Sequence, residues 1–390
     1  MKAIEIKKDV YWTGVKDWNL QDFHGHITPH HTTYNSYVIL DEKITIIDGA
    51  KLTLSDEMIE RVKTVVDFKD VSYIVVNHIE MDHSGNLPIL MKLAPQAKII
   101  TNLAAKMGLE EHFETKDWEF IIVKNGDEFS IGKRTLSFHP TPMLHWPDSM
   151  VTYCKEDKIL FSNDAFGQHV CDNTIFVKDL PIDVVLAEAK RYYANILLPY
   201  GAQAEKAVSV VDKLDLEMIA PGHGCILEGK ADIQKMFDAY NEWDSVENKG
   251  YAVVIYDTMW HSTEKLADAV KSAFDDLSIP VKKICLKDIH YSQAIIEVMD
   301  AKYVAVGTPT LNNEIYPSVA AFLTYMRGLN PKNKVGFAFN SFGWKVGVAD
   351  KVQAFFNDLK WETLEPFSIK YNPKCDGLNK IKEHLKKQIG

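Results

Sequence analysis

Cysteine is scarce in this chain and never clustered. Cys154, Cys171, Cys225, Cys285 and Cys375 form no C-x-x-C pair. An odd, scattered set suits reduced thiols better than a disulfide framework. It also argues against a built-in iron–sulfur or rubredoxin-type centre, which needs cysteines close together. Long apolar runs are missing too. None approaches the ~18 residues of a membrane-spanning helix. The first residues, MKAIEIKKDVYW, show neither a continuous apolar core nor a small-residue cleavage site. No membrane span and no secretory signal is expected, and the chain reads as cytoplasmic. There is no G-x-G-x-x-G, so a nicotinamide Rossmann site is not supported. Basic residues are in deficit, with 44 Lys and Arg against 54 Asp and Glu. Nucleic acid is not an expected partner, because phosphate binding calls for a basic surface.

At 390 residues the chain is long enough for two domains. Its charge is unevenly spread. Residues 251–390 hold 18 Lys and Arg and 15 Asp and Glu, a net of +3, whereas the first 250 carry a net of −13. Eleven of the 14 histidines also lie in the first 250. Such a contrast suggests two units with different tasks. Short β-branched runs such as Tyr73-Ile74-Val75-Val76 and Phe120-Ile121-Ile122-Val123 predict a sheet-rich α/β or α+β domain. After Lys249-Gly250 the rhythm changes. Strand-like runs at 251–256, 280–285, 302–306, 334–339 and 361–368 alternate with helical stretches, which predicts a doubly wound parallel sheet. The domains are expected to be 1–249 and 250–390, with the break near 245–250.

The segment Asn77-His78-Ile79-Glu80-Met81-Asp82-His83 follows a buried-strand pattern. Four side chains with metal-binding atoms fall within six residues, just after a strand end, where α/β proteins place their sites. Three more strand-end segments carry His145, Asp164 and His223 among small or turn-forming residues. The pattern H-x-E-x-D-H, followed by separate His, Asp and His, resembles the metallo-β-lactamase superfamily, with Glu80 where that superfamily usually has histidine. With MLHWPDS and FSNDAFGQH, the chain resembles more closely the flavodiiron proteins over nearly its whole length. The resemblance implies an αββα sandwich with a two-metal site. His78, Glu80 and His145 would bind one iron, Asp82, His83 and His223 the other, and Asp164 would bridge them. Glu80 in place of histidine makes the site harder and shifts preference from zinc toward iron. Where the family has Ser-His-Gly around the last ligand, this chain has Pro221-Gly222-His223-Gly224. His24, His169 and Tyr193 are weaker candidates, for the gas pocket or for proton donation.

The first turn of the second region, Asp257-Thr258-Met259-Trp260-His261-Ser262-Thr263, leaves a strand and enters a helix. Helix N-termini bind phosphate through free N–H groups, and hydroxyls here add donors. Taken alone, the turn reads equally as an ordinary N-capped helix. Two later strand ends strengthen the first reading. They are Thr308-Pro309-Thr310-Leu311-Asn312-Asn313 and Asn340-Ser341-Phe342-Gly343-Trp344. The three loops together resemble flavodoxin, with sheet order 2-1-3-4-5 and FMN at the switch point. Trp260 and Trp344 are candidates to flank the flavin ring.

The resemblance implies an enzyme that reduces O2 to water, NO to N2O, or both, at a di-iron site fed by FMN. Electrons would come from an external donor, rubredoxin or reduced coenzyme F420. A head-to-tail homodimer, or a dimer of such dimers, would bring the flavin of one subunit to the irons of the other. The alternative is a zinc metallo-hydrolase fused to a flavodoxin module.

Overall fold

In three neighbouring strands, adjacent apolar residues face opposite ways. Ile46, Ile74 and Ile99 pack into one core, and Ile47, Val75 and Ile100 into another. Side chains alternate across a strand, so an unbroken apolar run marks a strand buried on both faces. In the computed structural model, which describes residues 1–244 and 248–390, these strands lie inside a seven-stranded sheet. Its order is Ile4–Lys7, Val10–Trp12, Tyr37–Ile39, Ile44–Ile47, Val71–Val75, Lys98–Thr101 and Glu119–Ile122. The last four run parallel.

A second sheet, of six strands, runs Glu128–Ser130, Thr135–Pro140, Met150–Cys154, Ile159–Asn163, Met218–Pro221 and Leu227–Glu228. Phe138, Met150, Ile159 and Phe161 share the inner core with Ile47, Val75 and Ile100. Helices Ser55–Val62, Leu87–Leu93 and Leu103–His112 cover the outer face of the first sheet through Met58, Leu90 and Leu109. Helices Ile182–Tyr192, Gly201–Val211 and Lys230–Asp244 form the fourth layer. This is the αββα sandwich. The neighbours Ile159–Asn163 and Met218–Pro221 are parallel, so the segments leaving them, with Asp164 and His223, emerge at the same end of the sheet.

The second sheet system has the order Val281–Cys285, Ala252–Tyr256, Tyr303–Leu311, Val335–Phe342, then a fifth position, all parallel. That is the 2-1-3-4-5 arrangement. The fifth strand differs from the continuous run expected at 361–368. It is split into Glu362–Thr363 and Phe367–Lys370, both paired with Val335–Phe342. Pro366, which lacks an N–H, falls in the gap. Helices Ser262–Asp276, Tyr291–Asp300, Pro317–Leu329, Val348–Asp358 and Cys375–Ile389 alternate with the strands.

The compact units do not follow one cut along the chain. The first comprises Met1–Gln21, Thr28–Tyr192 and Tyr200–Asp244; the second comprises Asp22–Ile27, Tyr193–Pro199 and Ser245–Gly390. The expected break near 245–250 falls partly on residues 245–247, which lie outside the described residues. Within the second unit, Ile27 N donates to Ser292 Oγ at 3.2 Å and Asn195 Nδ2 to Ser292 O at 3.2 Å. Tyr325 Oη donates to Asn195 Oδ1 at 2.7 Å.

Candidate metal centre and flavin cleft

The loop after Val71–Val75 is pinned before it reaches the site. Asn77 donates from its backbone to Asp48 Oδ1 at 2.7 Å and from its side chain to Asp48 Oδ2 at 2.9 Å, and accepts from Thr152 Oγ1 at 2.6 Å. Burial pushes the Asp48 carboxyl up, against the bonds from Asn77. This fixed loop presents His78 and Glu80, and the short helix Met81–Ser84 presents Asp82 and His83.

Seven side chains converge as two groups: His78, Glu80, His145 and Asp164, and Asp82, His83 and His223. In the first, His145 Nε2 lies 3.0 Å from Glu80 Oε2 and 3.2 Å from Asp164 Oδ2, while His78 Nε2 lies 3.4 Å from each of these oxygens. In the second, His83 Nε2 lies 3.0 Å from Asp164 Oδ1 and 3.6 Å from Asp82 Oδ1. His223 Nε2 lies 3.2 Å from Asp82 Oδ2 and 3.5 Å from Asp164 Oδ1. Asp164 therefore offers one oxygen to each group. His78 Nε2, both Asp82 oxygens and Asp164 Oδ2 are buried without a hydrogen-bond partner among the described residues. Buried polar atoms are rarely left so. Atoms this close that are not aligned for hydrogen bonds have the geometry of lone pairs aimed at a shared centre. The fit to two cations is good on this ground and on the donor chemistry.

The electrostatics agree. Burial opposes protonation of His78, but the bond to Asp148 and the nearby Glu80 and Asp164 carboxylates outweigh it and lift its pKa to about 10. Burial likewise opposes protonation of His83 and His145, yet Asp82, Asp164 and Glu80 raise them to about 9 and about 10. Without a cation, three buried carboxylates draw protons onto the imidazoles; metal ions balance the same charge and leave the histidines neutral. The far side of each ring also matters. His78 Nδ1 donates to Asp148 Oδ2 at 2.9 Å, and His223 Nδ1 to Thr33 O at 2.8 Å. Thr33 thus supplies the kind of bond a serine beside His223 would give. A Cβ at position 222 would stand 2.9 Å from His83 Cε1, so the glycine there keeps the ring's place open.

The weaker candidates fall in different places. His169 is buried beside the cluster, with its ring 5.1 Å from that of His223 and its Nδ1 2.8 Å from Thr32 Oγ1. Tyr193 begins the 193–197 π-helix, in the second unit. Its neighbour Tyr192 is the tyrosine near the cluster, 5.0 Å from the His169 ring and 6.1 Å from that of His223. Sequence reasoning missed Tyr192, Thr32 and Thr33. His24 is exposed on the hairpin of Asp22–Ile27, also in the second unit.

In the second unit a cleft is lined by Thr258, Met259, Trp260, Ser262, Thr263, Pro309, Thr310, Ser341, Phe342, Gly343 and Tyr371. All but Tyr371 were expected. Thr258 Oγ1 is buried with no partner among the described residues, as suits a donor kept for a ligand phosphate. Helix Ser262–Asp276 points its N-terminus here, and no side chain among the described residues caps it. Trp260 and Trp344 are 85% and 88% exposed. The remaining expected residues stand outside the lining. His261 is turned to Glu264 at 2.6 Å. Thr308 Oγ1 accepts from Tyr316 N, and Asn340 Nδ2 donates to Thr310 Oγ1. Asn312 and Asn313, both at positive φ, make the two-residue turn by which Thr310 and Leu311 pair with Glu314–Ile315. Tyr371 is held by its N–H to Phe342 O at 2.7 Å.

Fold and cluster together define a lactamase-like metal-binding domain joined to a flavodoxin-like domain. Comparison with known proteins agrees. The model of the ODP family beta lactamase matches residues 32–224, and that of flavodoxin residues 254–384. The chain is 40% identical to rubredoxin-oxygen oxidoreductase of Megalodesulfovibrio gigas, over 96% of this chain and 92% of that protein. It is 38% identical to nitric oxide reductase of Moorella thermoacetica, over 98% and 97%. The crystal structure of the flavodiiron protein from Giardia intestinalis superposes with a TM-score of 0.94 at 31% identity, covering 100% of this chain and 96% of that one. The chain belongs to the flavodiiron proteins, oxidoreductases with FMN and a pair of irons as cofactors.

Proposed function

We propose that the seven converging side chains hold the two irons, that the cleft at Thr258–Thr263 holds FMN, and that the protein reduces O2 to water, NO to N2O, or both. The observation that carries this reading is Asp164, with one oxygen toward each group of donors. When bound, the flavin supplies electrons, and the irons supply Lewis acidity and paired positions for a small gas.

The chain's own residues prepare the site. Asp148 and the Thr33 carbonyl fix the tautomers of His78 and His223, which makes Nε2 the ligating nitrogen of each. The cluster side chains are nearly all below a tenth exposed; Glu80 and His145, at 11%, are the most open, so a gas enters beside them. Trp146 stacks edge-on against His78 at 5.2 Å and limits water there.

We further propose that a separate carrier, rubredoxin or reduced coenzyme F420, supplies electrons. The scattered cysteines and the name of the Megalodesulfovibrio relative support this. A head-to-tail dimer, or a dimer of dimers, fits the contrast between the acidic first 250 residues and the basic remainder, and a cytoplasmic setting fits the cysteine pattern. The oxidoreductase relatives give no support to the hydrolase alternative. The test is stopped-flow turnover of photoreduced, metal-analysed protein against each gas. Fast reoxidation by O2 with water as product, or N2O formed from NO, is expected. If neither gas reoxidises an iron- and flavin-replete sample, the reading is wrong.

A further inference from the structure

The two halves of the cluster present matching donors. Each half has two histidines and one carboxylate of its own, Glu80 in one and Asp82 in the other, with one Asp164 oxygen toward it. The residues behind the rings differ. His78 gives its Nδ1 proton to a buried carboxylate, Asp148. That carboxylate is itself fixed: Asp148 Oδ2 also accepts from Ile79 N at 2.8 Å, and Asn102 Nδ2 donates to Asp148 O at 2.6 Å. In the other half, His223 gives its Nδ1 proton to a neutral carbonyl, Thr33 O. His83 Nδ1 is buried with no hydrogen-bond partner among the described residues. Asp48 influences His83 through space only, since its oxygens accept from Asn77 and Asn163.

A carboxylate behind a ligating imidazole fixes the tautomer and raises the basicity of the ligating nitrogen more than a carbonyl does. From this pairing we propose that the half containing His78, Glu80 and His145 binds its metal more tightly and fills first, and that Asp148 is the positioning residue that makes the difference. The inference rests on the reading above that the cluster holds two metal ions.

The test uses the full-length, flavin-replete protein stripped of metal. Iron(II) is returned without oxygen against a chelator of known affinity, and two dissociation constants are read. The wild type is expected to show two separated constants. Asp148→Asn should weaken the tighter one ~10–100-fold and leave the weaker unchanged, a selectivity that general loss of structure does not produce. His145→Ala should abolish the tighter constant and His223→Ala the weaker. Equal constants in the wild type, equal weakening of both in D148N, or a tight site that survives His145→Ala would each overturn the proposal. If D148N misfolds, Asp148→Ser replaces it, and the two histidine variants still decide the order of filling. Wild-type protein that binds one metal or none would instead refute the two-metal reading itself.

Discussion

Thr263 and Ser341 meet hydroxyl to hydroxyl at 2.8 Å, both buried. Their contact ties the first turn of helix Ser262–Asp276 to the end of strand Val335–Phe342, and both line the cleft. Thr263→Val removes one hydroxyl and keeps the shape. It should weaken FMN binding by about tenfold, or ~1–1.5 kcal/mol. Fluorescence titration of flavin-free protein with FMN and with riboflavin checks this. Riboflavin lacks the phosphate and should lose much less; equal losses would show that the pair does not serve the phosphate.

Asp164 shares its two oxygens between the halves of the cluster. Asp164→Asn should reduce iron to roughly one atom per chain or fewer while FMN stays bound, because an amide is a far poorer bridging ligand. Metal analysis beside flavin absorbance reads both. Full iron in the variant would remove Asp164 from the bridging role.

Metal removal should also be felt as stability. Ions that bind only the folded state stabilise it by mass action, and here they balance three buried carboxylates. Chelated protein should melt several degrees below iron-loaded protein in calorimetry at pH 7. Coincident melting curves would contradict a buried di-cation site.

Lys334 gives a pH test remote from the metal ligands. Its ammonium is buried, donating to Met299 O at 2.8 Å and Asn248 Oδ1 at 2.6 Å. Burial lowers its pKa to about 8, with Asp300 opposing. The unfolded chain therefore holds the proton more firmly than the folded one, and between about pH 8 and the ordinary lysine value stability should rise with pH. The difference between wild type and Lys334→Met in denaturant unfolding should grow in favour of the wild type across that window. A flat difference would show that the lysine keeps an ordinary pKa.

Gly307 sits where a Cβ would meet the Phe339 ring at 2.3 Å, two residues before the cleft residues Pro309 and Thr310. Gly307→Ala should cost ~1–3 kcal/mol by overpacking, measured by urea unfolding, and should loosen FMN as well.

What could be read from the sequence was what recurs at strand ends. His78 to His83, Asp164 and His223 each follow an apolar run that ends in polar residues, and ligand chemistry is visible in residue type. Thr33 was invisible because it acts through its backbone carbonyl, which any residue carries. Tyr192 was passed over for Tyr193 because adjacent tyrosines look alike until the turn of the helix separates them. Tyr371 follows a strand that ends at Lys370, two residues past the end expected for the run at 361–368. Asn312-Asn313 was placed with the flavin loop, although two residues tolerant of positive φ are also the mark of a tight hairpin, which is what they form.

The make-up of the second unit bears on how such proteins can be recombined. Asp22–Ile27 and Tyr193–Pro199 belong to it although they precede residue 250. A flavin module excised at residue 250 would leave behind Asn195, the acceptor for Tyr325, and Ile27, the donor to Ser292. Chimeras joined only at that point pair Ser292 and Tyr325 with segments from another molecule. Transplanting the two short segments together with the module is the route to a graft that keeps its own surface.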